Sequence, residues 1–253
     1  MPETQRGGVT LHYEVDAGPT DRPAVVLLQP AGAGRWSVRW QRECLRGRYR
    51  VIVPDTRGTG RSDPGLSPLV ARLPNRLARP LLERQLGHTP GTLAADLEAV
   101  LADAGVPWAH LVGIGLGASV ALAYAAEYDR ARSLAVCFEW EGDLSRPFRV
   151  RNPHLADSVS VWRAEQDPKR SARAAQRRAL GSRPDLERVR VPTLVLTPEE
   201  GGDRPERIAE DLPDARLERL GGDGLPTVEK ADAVNDRLTS FLAEREAGRP
   251  AAV

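Results

Sequence analysis

A chain of 253 residues, 41% of them hydrophobic, is long enough to bury a large core as one domain or two. Its formal net charge of +1 gives no bulk electrostatic reason to bind nucleic acid or an anionic membrane, and no stretch approaches the roughly 18 apolar residues that span a bilayer. Met1 to Gly8 is polar with no apolar signal-like core, and Cys44 and Cys137 stand far apart with no metal-like spacing, so a reduced, cytoplasmic protein is expected.

Val9 to Val15 alternates and predicts a strand. Ala24 to Leu28 is a short continuous apolar run, as in a strand buried on both faces. The breaker cluster Gln29-Pro30-Ala31-Gly32-Ala33-Gly34 follows, then a helix over Trp36 to Leu45. Tyr49 to Val53 is a second buried strand. Residues 64–91 are rich in Pro, Leu and Arg and read as an insertion, either a surface excursion or a lid-like segment over an apolar substrate. A helix is expected over Leu93 to Ala104, with Thr92 as N-cap and Gly105 just past its end. His110 to Ile114 and Leu134 to Phe138 are further buried strands. Residues 143–188 are charged, helical in places and without a buried-strand run. Thr193 to Leu196 is a strand, Pro205 to Leu212 a helix and Arg216 to Leu220 a last strand. An amphipathic helix over Ala231 to Arg245 closes the chain. Apolar strands alternating with helices imply an α/β fold: a mostly parallel central sheet covered on both faces, with ligands beyond the carboxyl ends of its strands.

The stretch Leu111 to Ser119 (LVGIGLGAS) joins a strand to a helix through a glycine turn. This is the context of a nucleophile elbow, G-x-S-x-G, in which a central serine attacks an acyl carbon. The central residue here is Gly115, which has no side chain to attack with.

The pattern resembles the α/β-hydrolase fold superfamily from about Val9 to Leu242. The most specific match is Asp55-x-Arg57-Gly58-x-Gly60-x-Ser62, similar to the DxRGxGxS turn of that family, where these residues are mainly structural. The resemblance implies a core of residues 1–142 and 189–253 and a helical cap over 143–188. It also implies where a catalytic triad would stand. The nucleophile position is Gly115, and the histidine position, in the loop Leu220 to Pro226, is Gly224. The acid position falls on Gly201 or Glu200, with Asp203 close by. The oxyanion loop reads Gln29-Pro30-Ala31-Gly32, so the hole would be made by the backbone N–H groups of Ala31 and Leu116. No cofactor is implied and no metal is suggested. Gly113-x-Gly115-x-x-Ala118 only partly matches a dinucleotide fingerprint.

Losing the nucleophile or its histidine alone costs a serine hydrolase on the order of a millionfold in turnover. Serine-type hydrolysis is therefore not expected. Ser119 reads as a packing residue, Cys137 as core, and His12 and His110 as structural; His88 and His154 lie in the inserted segments. A pocket floored by Gly115 and Gly224 and lined by Trp140, Phe148 and Trp162 would let a ligand approach the backbone closely. Carboxylates at strand ends supply acid–base chemistry, Glu139 first and then Glu200 and Asp203. Glu141, Asp143, Glu199 and Asp223 stand at similar places.

Three readings follow. The first is a non-hydrolytic cyclase, isomerase or lyase acting on a hydrophobic carbonyl compound. The resemblance to triad-degenerate members in bacterial secondary metabolism implies a polyketide-like substrate for such a biosynthetic enzyme. The second is a pseudoenzyme that binds a small molecule or a protein. The third is a hydrolase in which a carboxylate activates water. Arg170, Arg173 and Arg177 share a helical face, with Arg178 beside them, suited to an acidic acyl carrier protein; a solvated face is the plainer reading.

Overall fold

The computed structural model describes residues 1–31, 33–63, 65, 88–138, 185–199, 202–221 and 226–247. Eight described strands form one sheet: β1 (Glu3–Arg6), β2 (Val9–Asp16), β3 (Ala24–Leu28), β4 (Val51–Pro54), β5 (Ala109–Ile114), β6 (Ala131–Cys137), β7 (Thr193–Pro198) and β8 (Ala215–Leu220). Their spatial order is β1-β2-β4-β3-β5-β6-β7-β8. The β1–β2 and β2–β4 pairs are antiparallel and all the others are parallel.

The helices are α1 (Arg39–Leu45), α2 (Pro90–Asp103), α3 (Leu116–Glu127), α4 (Arg204–Asp211), α5 (Pro226–Glu229) and α6 (Ala231–Ala247). Short 3-10 turns lie at Arg35–Val38 and Leu186–Arg188. Each central strand sends alternate residues to opposite faces, as the two-residue period of a strand requires. Val26, Leu111, Leu134 and Val195 enter the core beneath α2, α3 and α4, with Leu97, Leu101, Ala121, Leu122 and Ile208. Val25, Leu27, Val112, Ile114 and Leu194 enter the core beneath α1 and α6, with Leu45, Leu238, Phe241 and Leu242. Burial on both faces explains the unbroken apolar runs.

Within the described residues the expected strands and helices are present with adjusted ends; the helical stretches expected in 143–188 lie almost wholly outside those residues. Trp36 to Leu45 divides into a 3-10 turn and α1. Helix α2 begins a turn earlier than expected: Thr89, not Thr92, is its N-cap, and the Thr89 hydroxyl accepts the Thr92 N–H at 3.1 Å. Pro90 at the first helical position lacks an N–H that would have no partner there anyway, so it starts the helix. Pro90 and Gly91 thus belong to α2. Gly105 follows the helix with φ +62°, as expected. The unexpected elements are α5, the 3-10 turn at Leu186–Arg188 and β1, a polar edge strand joined to β2 through Gly7 and Gly8, both at positive φ, as a tight hairpin turn requires.

The Asp55–Ser62 turn is held as a structural knot. The Asp55 carboxylate accepts the Arg61 N–H at 3.0 Å and pairs with Arg35 Nε at 3.2 Å. Burial pushes its pKa up, against the pull of the Arg61 N–H and the Arg35 charge. The Ser62 hydroxyl donates to the Asp55 carbonyl at 2.8 Å and accepts the His12 N–H at 2.9 Å. Arg57 reaches α2, donating from Nε and Nη2 to the two oxygens of Asp96 at 2.8 and 2.6 Å.

Residues 66–87 of the lid-like insertion, and 143–184 of the cap, lie outside the described residues. Leu186, in the last residues assigned to the cap, packs against the α3-side core. Among the described residues no helix is long and apolar enough to cross a membrane.

Candidate active site

Strand β5 enters the elbow through Gly113 and helix α3 leaves it through Gly117, and neither position has room for a side chain. A Cβ on Gly113 would overlap the Gly117 carbonyl, and one on Gly117 would overlap the Leu28 carbonyl. Between them Gly115 sits at φ +53°, ψ −109°, a conformation L side chains rarely adopt. The Gly115 N–H donates to the Cys137 carbonyl at 2.9 Å, and its carbonyl accepts from Ala118 N at 3.1 Å and Ser119 N at 3.3 Å. The strained strand-to-helix turn of an elbow is complete, and only its side chain is missing.

The loop expected to supply the oxyanion hole is docked on the same turn. The Gln29 carbonyl accepts the Gly117 N–H at 3.1 Å. The buried Gln29 carboxamide donates to the Pro54 carbonyl at 2.6 Å and accepts from the Thr56 hydroxyl at 3.0 Å. Leu116 opens α3, where a backbone N–H has no intrahelical acceptor and the helix dipole favours negative charge. Ala31 lies two residues beyond Gln29, half-buried. Loop and helix start are thus joined at the carboxyl edge of the sheet, next to the positions expected to supply the oxyanion donors.

Two of the three histidines in the described residues have partners elsewhere, and the third is buried in another part of the fold. His12 pairs with Glu3 at 3.4 Å, and His110 Nδ1 meets the Ser133 hydroxyl at 2.7 Å within the sheet. His88 is buried beside Arg57; it approaches the Arg57 backbone, but neither ring nitrogen reaches hydrogen-bond geometry. Burial, then the Arg57 charge, holds its pKa down at about 4. Ser119 is fully buried and its hydroxyl accepts from Arg204 Nη2 at 3.2 Å, so it packs as expected. Cys137 is core.

Of the expected carboxylates, Asp203 precedes α4 with its side chain 88% exposed, 3.8 Å from Arg207. Glu199 is exposed. Glu139, Glu200, Gly224, Trp140, Phe148 and Trp162 lie outside the described residues, as do Glu141, Asp143, Asp223, His154 and the arginine face from Arg170 to Arg178. Among the described residues no cluster of three or more His, Cys, Asp or Glu is placed to hold a metal.

A family model described as the alpha/beta hydrolase fold matches residues 23–205. The chain belongs to the α/β hydrolase fold family. Its relatives in this family include a protein named as a carbamate hydrolase, RutD, of Azorhizobium caulinodans, 28% identical over 96% of this chain and 99% of that one. A 3-oxoadipate enol-lactonase of Acinetobacter baylyi is 29% identical over 62% of this chain and 54% of its own length. The crystal structure of the enol-lactonase from Burkholderia xenovorans LB400 superposes with a TM-score of 0.77 at 21% identity, covering 96% of this chain and all of that one, and shares the fold.

One residue at this α/β-hydrolase edge is invisible to motif reading. Arg204, the first residue of α4, has its guanidinium carbon 5.6 Å from the Phe138 ring centre as well as its bond to Ser119. The available signal was a basic residue opening a helix, where the dipole disfavours a cation.

Proposed function

We propose that this protein binds a largely apolar carbonyl compound over Gly115 and moves a proton on it without forming an acyl-enzyme, as a cyclase, isomerase or lyase. One observation carries the reading: a tight strand-to-helix turn with the loop after β3 docked on it has Gly115, a residue with no nucleophile, at its tip. A carbonyl oxygen seated against the N–H groups of Leu116 and Ala31 is polarised there. A carboxylate takes the proton from the carbon next to the carbonyl, and the bonding pair moves to the oxygen as an enolate. Return of the proton at another carbon gives isomerisation. Attack of the enolate carbon on a second carbonyl gives cyclisation, and expulsion of a leaving group gives a lyase. Asp203, exposed and beside Arg207, stays hydrated, so Glu139 is the base we propose first, with Glu200 next. A polyketide-like intermediate is the substrate that fits this chemistry, and an acyl carrier protein is a partner consistent with the arginine face.

A second reading has support in the names of the relatives, a carbamate hydrolase and an enol-lactonase. The same donors serve water attack on an ester, lactone or carbamate, with the carboxylate activating the water and no covalent intermediate.

Incubation in D2O with simple 1,3-diketones and with esters and lactones separates the two. The proposed chemistry gives deuterium at the carbon next to the carbonyl, no acid release, and loss of exchange in Glu139→Gln. Acid release carrying solvent oxygen, without exchange, overturns it in favour of hydrolysis. Binding with neither reaction leaves a pseudoenzyme.

A further inference from the structure

We infer that the amino edge of the sheet carries a second binding site, a cleft that takes a small zwitterion, a molecule with an ammonium and a carboxylate held apart on a short apolar chain. The cleft lies at the opposite end of α3 from the elbow, and the inference is independent of what binds over Gly115.

Helix α3 leaves the elbow at Leu116 and ends at Glu127, so its last turn reaches the edge where β6 and β7 begin. A cleft of about 530 Å³ opens there, within the range of about 300–1,000 Å³ that small-molecule sites occupy. Alanine and valine side chains supply its apolar lining, and five charged residues share it. Glu127 and Asp129 come from the end of α3 and the turn after it. Arg132 comes from β6, and Arg188 and Arg190 from the segment that leads into β7. All five are exposed, so a ligand can reach them.

These charges are of both signs and yet unpaired. None of the five forms an ion pair or a side-chain hydrogen bond with another described residue. Arg130, between them in sequence, is fully engaged by contrast: it donates to Glu98 at 2.9 Å and to the Val106 carbonyl at 2.8 Å. The guanidinium carbon of Arg132 lies over the Trp108 ring, 4.3 Å from its centre. A guanidinium stacked on a ring keeps its N–H edges for a carboxylate. The last carbonyls of α3 lack intrahelical partners and add partial negative charge beside Glu127. A simple anion would meet that negative end, and a simple cation would meet three guanidiniums. A zwitterion answers both, with its ammonium beside Glu127, Asp129 and the helix end and its carboxylate in the arginine forks.

The test is an NMR titration of the full chain with 4-aminobutanoate and 6-aminohexanoate, and with the singly charged butanoate, hexanoate, 1-aminobutane and 1-aminohexane. Exposed ion contacts are individually weak, so wild type is expected to bind at least one amino acid about fivefold or more tighter than both of its singly charged counterparts. Arg188→Gln with Arg190→Gln lowers that amino acid to the affinity of the amine. Glu127→Gln with Asp129→Asn lowers it to the affinity of the carboxylate. Thermal melts check that the variants are folded, and Arg190→Gln and Asp129→Asn alone, each with a partial loss, carry the same test if a double variant melts early. No binding of either amino acid, a carboxylate or an amine that binds as tightly as its amino acid, or a preference that survives in both sets of variants overturns the inference.

Discussion

Gly117 lies so close to Leu28 that a Cβ at position 117 would overlap the Leu28 carbonyl oxygen. Helix α3 therefore rests with its first turn directly on the end of β3, and this contact brings the oxyanion loop beside the elbow. The glycine is required by the approach of two backbones, whatever the protein does with the site.

Gly117→Ala should accordingly destabilise the fold by roughly 1–3 kcal/mol or more, since neither backbone can move aside cheaply. Gly221 is the control, because a Cβ there meets nothing within 4 Å and its φ is not positive. Gly221→Ala should stay within about 0.5 kcal/mol of wild type. Urea unfolding of both variants measures the difference, and equal midpoints would contradict the packing argument.

Gly115→Ser restores the side chain an elbow ordinarily carries. A non-glycine residue at φ +53° should cost about 1–3 kcal/mol. It should not create a serine hydrolase, since His12, His88 and His110 are held elsewhere and position 224 is a glycine. Mixing with p-nitrophenyl acetate should give no burst of nitrophenol above wild type. A burst would show that another base reaches position 115.

The α/β architecture was legible because its central strands are buried on both faces. Ala24 to Leu28 and Leu111 to Ile114 are unbroken runs without a polar side chain, Gly113 and Gly117 record close backbone approaches, and Gly115 records a positive φ. Strand β1 was not legible: its residues bury no face, and only the Gly7-Gly8 turn marks it. The cap of α2 was misplaced by one turn because Thr89 and Thr92 are both good capping residues, and only the Thr89 hydroxyl meets the Thr92 N–H. That a glycine, Gly115, stands at the centre of the turn could be read directly. Arg204 could not, because its meaning depends on Ser119 and Phe138, which lie 85 and 66 positions before it and meet it only in the fold.

Asp96 carries the charge that Arg57 brings inside, and Arg6 Nη1 adds a third contact at 3.1 Å. Removing one member of a buried ion pair leaves the other uncompensated, which costs about 3–5 kcal/mol. Asp96→Asn should therefore be strongly destabilising. Asp203→Asn, whose carboxylate is exposed, should change stability by less than about 0.5 kcal/mol. Thermal melts of the pair provide the check, and similar melting temperatures would mean that the Asp55–Ser62 turn does not depend on its tie to α2.

His88 makes stability fall in mild acid. The residue is 2% exposed, and the charges of Arg57 and Asp96 both act on its ring. Burial is the larger cause of its lowered pKa and the Arg57 charge the next; together they bring it from 6.5 to about 4. Between those values the unfolded chain binds a proton that the folded chain refuses, so stability rises with pH. The contribution is complete above pH 6.5, drains away as the pH falls through the window, and levels off below about 4. One pKa unit corresponds to about 1.4 kcal/mol, so lowering the pH from 7 to 5 should cost about 2 kcal/mol through this residue. Carboxylates titrate over part of the same range, so the comparison must be with His88→Gln, which keeps a polar side chain of similar reach and cannot titrate. Urea midpoints at pH 7 and pH 5 should show a smaller acid loss in the variant than in wild type. An identical loss in the two proteins would mean that His88 gains its proton without opening the Arg57–Asp96 knot.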